Sequence, residues 1–224
     1  MKINTKIEEI IREKTLASRI EKEPSGRLSA SRLGWPLQWQ MLHYYKIPQK
    51  EVDEFVLRKF ARGEDVEERI MKWLSPAETA MQVPVEYRGV VGFVDVVLDY
   101  PIEIKSVTNK NFSYIQKDGI KRGHKLQAEL YAKSLGYDKY AVAYVASDDY
   151  RVLCIEDTVT DDVDTIIDEY EQQVLTGIVP IFQETESWQK LEEYNSYPEW
   201  MKLDQEQINE KLSGLGITTT KPLL

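Results

Sequence analysis

Hydrophobic and polar positions along this chain change period several times, and each change marks an element. Residues 1–23 place Ile3, Ile7, Ile10, Ile11, Leu16 and Ile20 at the spacing of a short amphipathic helix, which Pro24-Ser25-Gly26 breaks. A second helix is predicted over 31–45, capped by Ser29 or Ser31. A third, opened by Pro48, covers 49–74 with an apolar stripe of Val52, Phe55, Val56, Phe60, Val66, Ile70 and Trp73, and Pro76 ends it. The period then falls to two. Residues 83–87 read as a strand, and 90–98 as an almost wholly apolar, β-branched strand with a single acid, Asp95. The turn Asp99-Tyr100-Pro101 leads into a strand over 102–107. Residues 109–117 are polar and read as a loop. A helix from 118 or 119 to 135 follows, ended by Gly136. Strands at 140–147 and 151–155, a helix at 161–175 and a tail at 214–224 complete the chain.

The stretch 90–107 concentrates the chemistry. A carboxylate inside an apolar strand is costly to bury unless it is paired or binds a metal. Glu103 and Lys105 share one strand face, with Ile102 and Ile104 on the other. Two acids beside a lysine suggest a divalent-cation site with an adjacent base or electrostatic stabiliser. The hairpin must bring Asp95 onto the face of Glu103. A two-residue turn would set Asp95 opposite Ile104, on the wrong face. A three-residue loop over 99–101, or a bulge, would set it opposite Lys105. The alternative is an edge hairpin whose charges face solvent.

Asp95 followed by Glu103-Ile104-Lys105 resembles the signature of the PD-(D/E)XK nuclease superfamily. Gly92-Phe93-Val94-Asp95 resembles the G-x-x-D of its RecB-like branch, and Gln127 to Tyr131 that branch's Q-x-x-x-Y. The likeness spans roughly residues 60 to 155, and Ser29-Ala30-Ser31-Arg32-Leu33 resembles the branch's entry segment. It implies an α/β fold with a restriction-endonuclease-like αβββαβ core, a mixed central sheet flanked by helices, and helical additions at both ends. The implied organisation is a helical segment at 1–48, a nuclease core at 49–180 and an acidic, aromatic extension at 181–224. The implied activity is Mg²⁺- or Mn²⁺-dependent hydrolysis of DNA, more often at ends than internally. Asp95 and Glu103 would bind the cation, Ile104 would add its carbonyl, and Lys105 would orient the attacking water or stabilise phosphate charge. Gln127 and Tyr131 would hold the strand. Where the branch carries a metal-binding His, this chain has Glu67, which is either a substitute oxygen ligand or a surface glutamate in a charged helix turn. Glu86 would add an outer contact to the metal, or pair with Arg88 or Lys105. Lys121, Arg122, His124 and Lys125 are candidates for DNA contact, although a lone His is usually structural.

Composition narrows the picture in three ways. Cys154 is the one cysteine, so no internal disulfide framework and no four-cysteine iron–sulfur cluster can form; it is expected in the core. Trp35 and Trp39 stand where cluster-bearing relatives place a cysteine, and are read as packing. No apolar run approaches a membrane span, and the first fifteen residues lack an apolar signal core, which points to a cytoplasmic protein. The net charge of −9 argues against a passive charge-driven nucleic-acid binder. Basic residues nonetheless gather between 104 and 140, where eight Lys/Arg face three acids, whereas 156–206 holds fifteen acids and two lysines. The first region could follow a phosphate backbone. The second is a solvated face turned away from the site, or a partner surface. Self-association or a protein partner could use the N-terminal helix or the C-terminal extension. A nuclease fold that binds DNA or a partner without cutting is the competing function.

Overall fold

The computed structural model describes residues 6–17, 24–74, 80–191 and 194–217. Five strands form one sheet in the order β1-β2-β3-β4-β5: β1 Ala80–Tyr87, β2 Val90–Val97, β3 Pro101–Val107, β4 Lys139–Ala146 and β5 Val152–Thr158. Among the described strands only β3 and β4 run parallel, so the sheet is mixed. A parallel neighbour needs a crossover. Two helices supply it, α4 Asn109–Asp118 and α5 Arg122–Leu135. With α3 Glu54–Leu74 before β1, the order is the restriction-endonuclease-like αβββαβ expected from the sequence, with one added helix. The remaining helices are α1 Lys6–Ala17, α2 Leu37–Tyr44, α6 Asp162–Thr176 and α7 Gln205–Gly214.

Local chemistry explains the elements that frame the site. Asp53 caps α3 by accepting the Val56 amide at 2.9 Å, so the helix starts at Glu54 and not at 49. Val66 and Ile70 then pack against Val96, Ile104, Ala143 and Val145 on one face of the sheet. The turn Arg88-Gly89 closes the β1–β2 hairpin with φ of 49° and 78°, the left-handed pair that matches strand twist. α5 ends on Gly136, left-handed at φ 77°. It buries Leu126, Leu130 and Tyr131 against β1, β2 and α6, and Ala128 and Ala132 against β4.

Several sequence expectations are corrected. Residues 109–117 are helical, because Thr108 caps Asn111 and Phe112 and Ile115 are spaced to bury together. The helix predicted over 31–45 is split: a 3₁₀ turn at Ala30–Arg32, then α2 entered through Pro36. α5 starts at Arg122, since Gly119 at φ 85° ends α4. Cys154 is exposed, because β5 is an edge strand whose alternate positions face outward. Of the tail at 214–224, residues 218–224 lie outside the described residues, as do Ile3, Ile20 and Pro76. Among the described residues, no helix is long and apolar enough to cross a membrane.

The acidic extension does not stand apart. Val179, Tyr197, Trp200, Ile208 and Leu212 form one core with Trp39, Met41, Leu42 and Ile47. Trp39 is fully buried there, with the rings of Trp35, Phe182, Trp188 and Tyr197 within 6.4 Å. Trp39→Ala removes the centre of that cluster. It is expected to cost about 3–5 kcal/mol in urea unfolding, with loss of protease protection in 181–217.

Candidate active site

β2 and β3 share only two pairs, Val96↔Ile102 and Val97↔Pro101, before they diverge. The connecting loop is the three residues 98–100, one residue earlier than 99–101. Its odd length brings Asp95 to the face of Glu103, but the register aims Asp95 toward Glu103 itself and not toward Lys105. Where the ladder stops, the Ile104 amide has no β2 carbonyl to meet. It donates to Asp95 Oδ2 at 2.7 Å. Asp95 is thereby fixed by a charge-assisted bond to the backbone between the other two signature residues.

Asp95 and Glu103 are 8% and 2% exposed. Lys105 pairs with Glu103 Oε1, and Glu103 Oε2 is buried without a hydrogen-bond partner. Burial pushes Glu103 up to about 8 against the pull of Lys105, with the charge of Asp95 adding to the rise. Burial also raises Asp95, although the Ile104 amide and Lys105 oppose it. Desolvation draws Lys105 down, but Glu103, Asp95 and Glu67 outweigh it and keep its ammonium charged. The lysine is therefore a fixed cation, suited to stabilising charge and not to accepting a proton.

Glu67 reaches this group from α3. Burial and the charge of Asp95 push it up to about 7. Gln82 on β1 connects the two, its Nε2 donating to Glu67 Oε1 at 3.2 Å and Asp95 Oδ1 at 3.3 Å. Glu67 is half-buried and lies beside Asp95, joined to it through Gln82.

From α5, Gln127 Nε2 donates to Tyr131 Oη at 2.8 Å, and both side chains are buried. Burial, then Glu103, raises the Tyr131 phenol, so it stays protonated as a neutral donor. The glycine of G-x-x-D has a steric reason. A Cβ on Gly92 would come within 2.8 Å of Tyr131 Cε1 and 3.0 Å of Ala30 Cβ. Tyr144 is the register partner of Lys105 on β4. Its hydroxyl takes the Lys121 amide at 3.1 Å and meets His124 Nδ1 at 3.0 Å. Burial, then the charges of Lys105 and Lys121, pushes His124 down to about 3, leaving a neutral imidazole.

Two expected contributors lie elsewhere. Glu86 pairs across from Val91, well along the hairpin from Asp95, and its carboxylate takes Arg27 at 3.2 Å; it pairs with neither Arg88 nor Lys105. Lys125 is tied to Asp162 at 3.0 Å, so α6 neutralises it. Lys121 and Arg122 remain at the start of α5, and neither forms a salt bridge among the described residues. The acidic extension also turns toward this end: Glu186 accepts the Gly123 amide at 3.2 Å. Sequence reasoning missed Gln82, Tyr144 and Glu186. Gln82 was within reach, because a two-residue turn at Arg88-Gly89 sets residue 82 across from 95. Tyr144 and Glu186 depend on a crossover and a long-range contact that no local pattern reports.

Among the described residues, no three Asp, Glu, His or Cys side chains are gathered into a ready-made metal cage. The donor chemistry nevertheless fits a hard divalent cation: three crowded carboxyls, two of them raised to about 7 and about 8, and an orphaned buried oxygen on Glu103. Without a cation the crowding must favour protonation. The sign follows. Glu103 binds a proton more tightly folded than unfolded, so stability is greatest below its ordinary range and falls as pH rises toward about 8. Thermal unfolding of metal-free protein from pH 5 to 8.5 is expected to show that decline in the wild type and a flatter profile in Glu103→Gln.

No protein-family profile and no curated protein matches the chain. Among solved structures it is similar to the alkaline exonuclease LHK-Exo from Laribacter hongkongensis, 15% identical over 72% of this chain and 93% of that chain, with a TM-score of 0.47. LHK-Exo in complex with dAMP gives 14% identity, 67% and 90% coverage and a TM-score of 0.48. The structure of SSO0001 gives 17%, 75% and 84%, with a TM-score of 0.47. Likenesses at this level assign no activity.

Proposed function

We propose that this chain is a divalent-metal-dependent deoxyribonuclease of the PD-(D/E)XK type, acting on DNA ends in the cytoplasm. The observation that carries the reading is the convergence of Asp95, Glu103 and Lys105 with Glu67 where β2 leaves β3. Asp95, Glu103 and Glu67 would hold Mg²⁺ or Mn²⁺, with the Ile104 carbonyl as a further donor. The chemistry supplied with such a cation is Lewis acidity, which lowers the pKa of a water and offsets phosphate charge.

The chain's own residues do the rest. Lys105 keeps its positive charge beside the carboxyls and stabilises the negative charge on the phosphate oxygens as the oxygen of water bonds to phosphorus and the P–O bond to the leaving group breaks. Tyr131, a neutral donor held by Gln127, offers its hydroxyl to a phosphate oxygen. Lys121 and Arg122 supply positive charge at the start of α5, where the strand's phosphates would enter. The preference for ends follows the resemblance to RecB-like nucleases.

End-labelled linear DNA and closed circles, each with Mn²⁺, Mg²⁺ or EDTA, test this reading. Linear DNA is expected to be lost only with metal, and Lys105→Ala to slow the loss by roughly 10²–10³-fold. Lys105→Ala should still fold, since Glu103 can take up a proton in place of its partner. Cutting of circles would replace the exonuclease with an endonuclease. No cutting by folded protein would leave a DNA- or partner-binding subunit.

A further inference from the structure

Gln82, exposed and third in β1, has its backbone at φ 49°. Residues other than glycine, asparagine and aspartate adopt that left-handed region rarely. At Arg88 the same φ closes a hairpin, but no chain reversal occurs at Gln82. The ladder is regular on both sides, Met81↔Val96 and Val83↔Val94, and only the Gln82–Asp95 position between them is unpaired. A strained residue held this way inside an otherwise ordinary strand calls for a compensating role.

The side chain shows what the conformation achieves. One amide nitrogen meets Glu67 Oε1 at 3.2 Å and Asp95 Oδ1 at 3.3 Å, with Met71 Sδ at 3.8 Å. An –NH₂ group has two hydrogens, so one nitrogen can serve both carboxyls. The two acids come from different elements, α3 and β2, and repel each other when ionised. A lysine or arginine in this place would bridge them too, but its charge would compete with a divalent cation. A carboxylate would add repulsion. A neutral amide aligns the oxygens and leaves their charge available.

We propose that Gln82 is a positioning residue for the cation site, and that its own left-handed backbone is retained to bring its amide between Glu67 and Asp95. The proposal rests on the reading of those two acids as cation ligands. It predicts that binding is lost without a loss of stability, which a structural glutamine would not produce.

The test measures Mn²⁺ affinity by titration calorimetry and metal-free unfolding temperature, on the full chain. Gln82→Gly relieves the backbone and removes the amide. Its unfolding temperature is expected to equal or exceed that of the wild type, while Mn²⁺ binding weakens roughly 10-fold or more. Gln82→Asn also accepts the left-handed conformation but is one methylene too short to reach both acids. It is expected to keep its stability and lose affinity likewise. Unchanged affinity in Gln82→Gly, or affinity lost only in step with unfolding temperature, overturns the proposal. A wild type that binds no Mn²⁺ overturns the cation site itself, a failure recognisable before any variant is compared.

Discussion

The separation of β2 from β3 after two residue pairs is the constraint on which the site depends. A longer ladder would occupy the Ile104 amide with a β2 carbonyl. Because the strands part, that amide turns to Asp95 Oδ2. One bond then does two things: it satisfies a buried backbone donor, and it anchors a carboxylate that would otherwise be expensive to keep in an apolar strand. Residues 28 and 29, ahead of α2, pair with β2 where β3 has left it, with Ser29 bridging to Val91 and the Leu28 carbonyl accepting the Val91 amide. Ala30 then abuts Gly92, and the bare glycine lets Tyr131 lie close by.

Electrostatics at this point are out of balance by design of the fold. Three carboxyls and one ammonium meet here, Asp95 and Glu103 buried and Glu67 and Lys105 partly open, and Glu67 and Glu103 are both raised toward neutrality. Local unpaired charge of this kind is poor for stability. It is explicable if a cation supplies what Lys105 alone cannot. The surrounding groups agree: Tyr131 and His124 are held neutral, and Gln82 and Gln127 donate without adding charge.

Much of this was legible in the chain. The apolar run at 90–98, the turn residues after it and the alternation at 102–107 mark the hairpin, and the face that Asp95 must share with Glu103 asks for an odd loop or a bulge, because strand period and turn parity are local rules. A helix turn rich in Asp and Glu does not say which acid points inward; Val66 and Ile70 pack on the sheet, and the half-buried Glu67 meets Asp95 through Gln82. Residues 109–117 hid a helix because only Phe112 and Ile115 are buried in it. Cys154 was misplaced because an apolar strand sequence does not reveal that the strand lies at an edge. The extension could not be placed from sequence, because its core partners lie more than a hundred residues away, on α2.

The central proposal is that a divalent cation binds these crowded carboxyls, which burial and mutual repulsion raise. Titration calorimetry of Mn²⁺ at pH 7 in buffers of different ionisation enthalpy measures the protons released on binding. The account predicts a net release in the wild type that shrinks in Glu103→Gln. Binding without proton release, or release unaffected by that substitution, would contradict it.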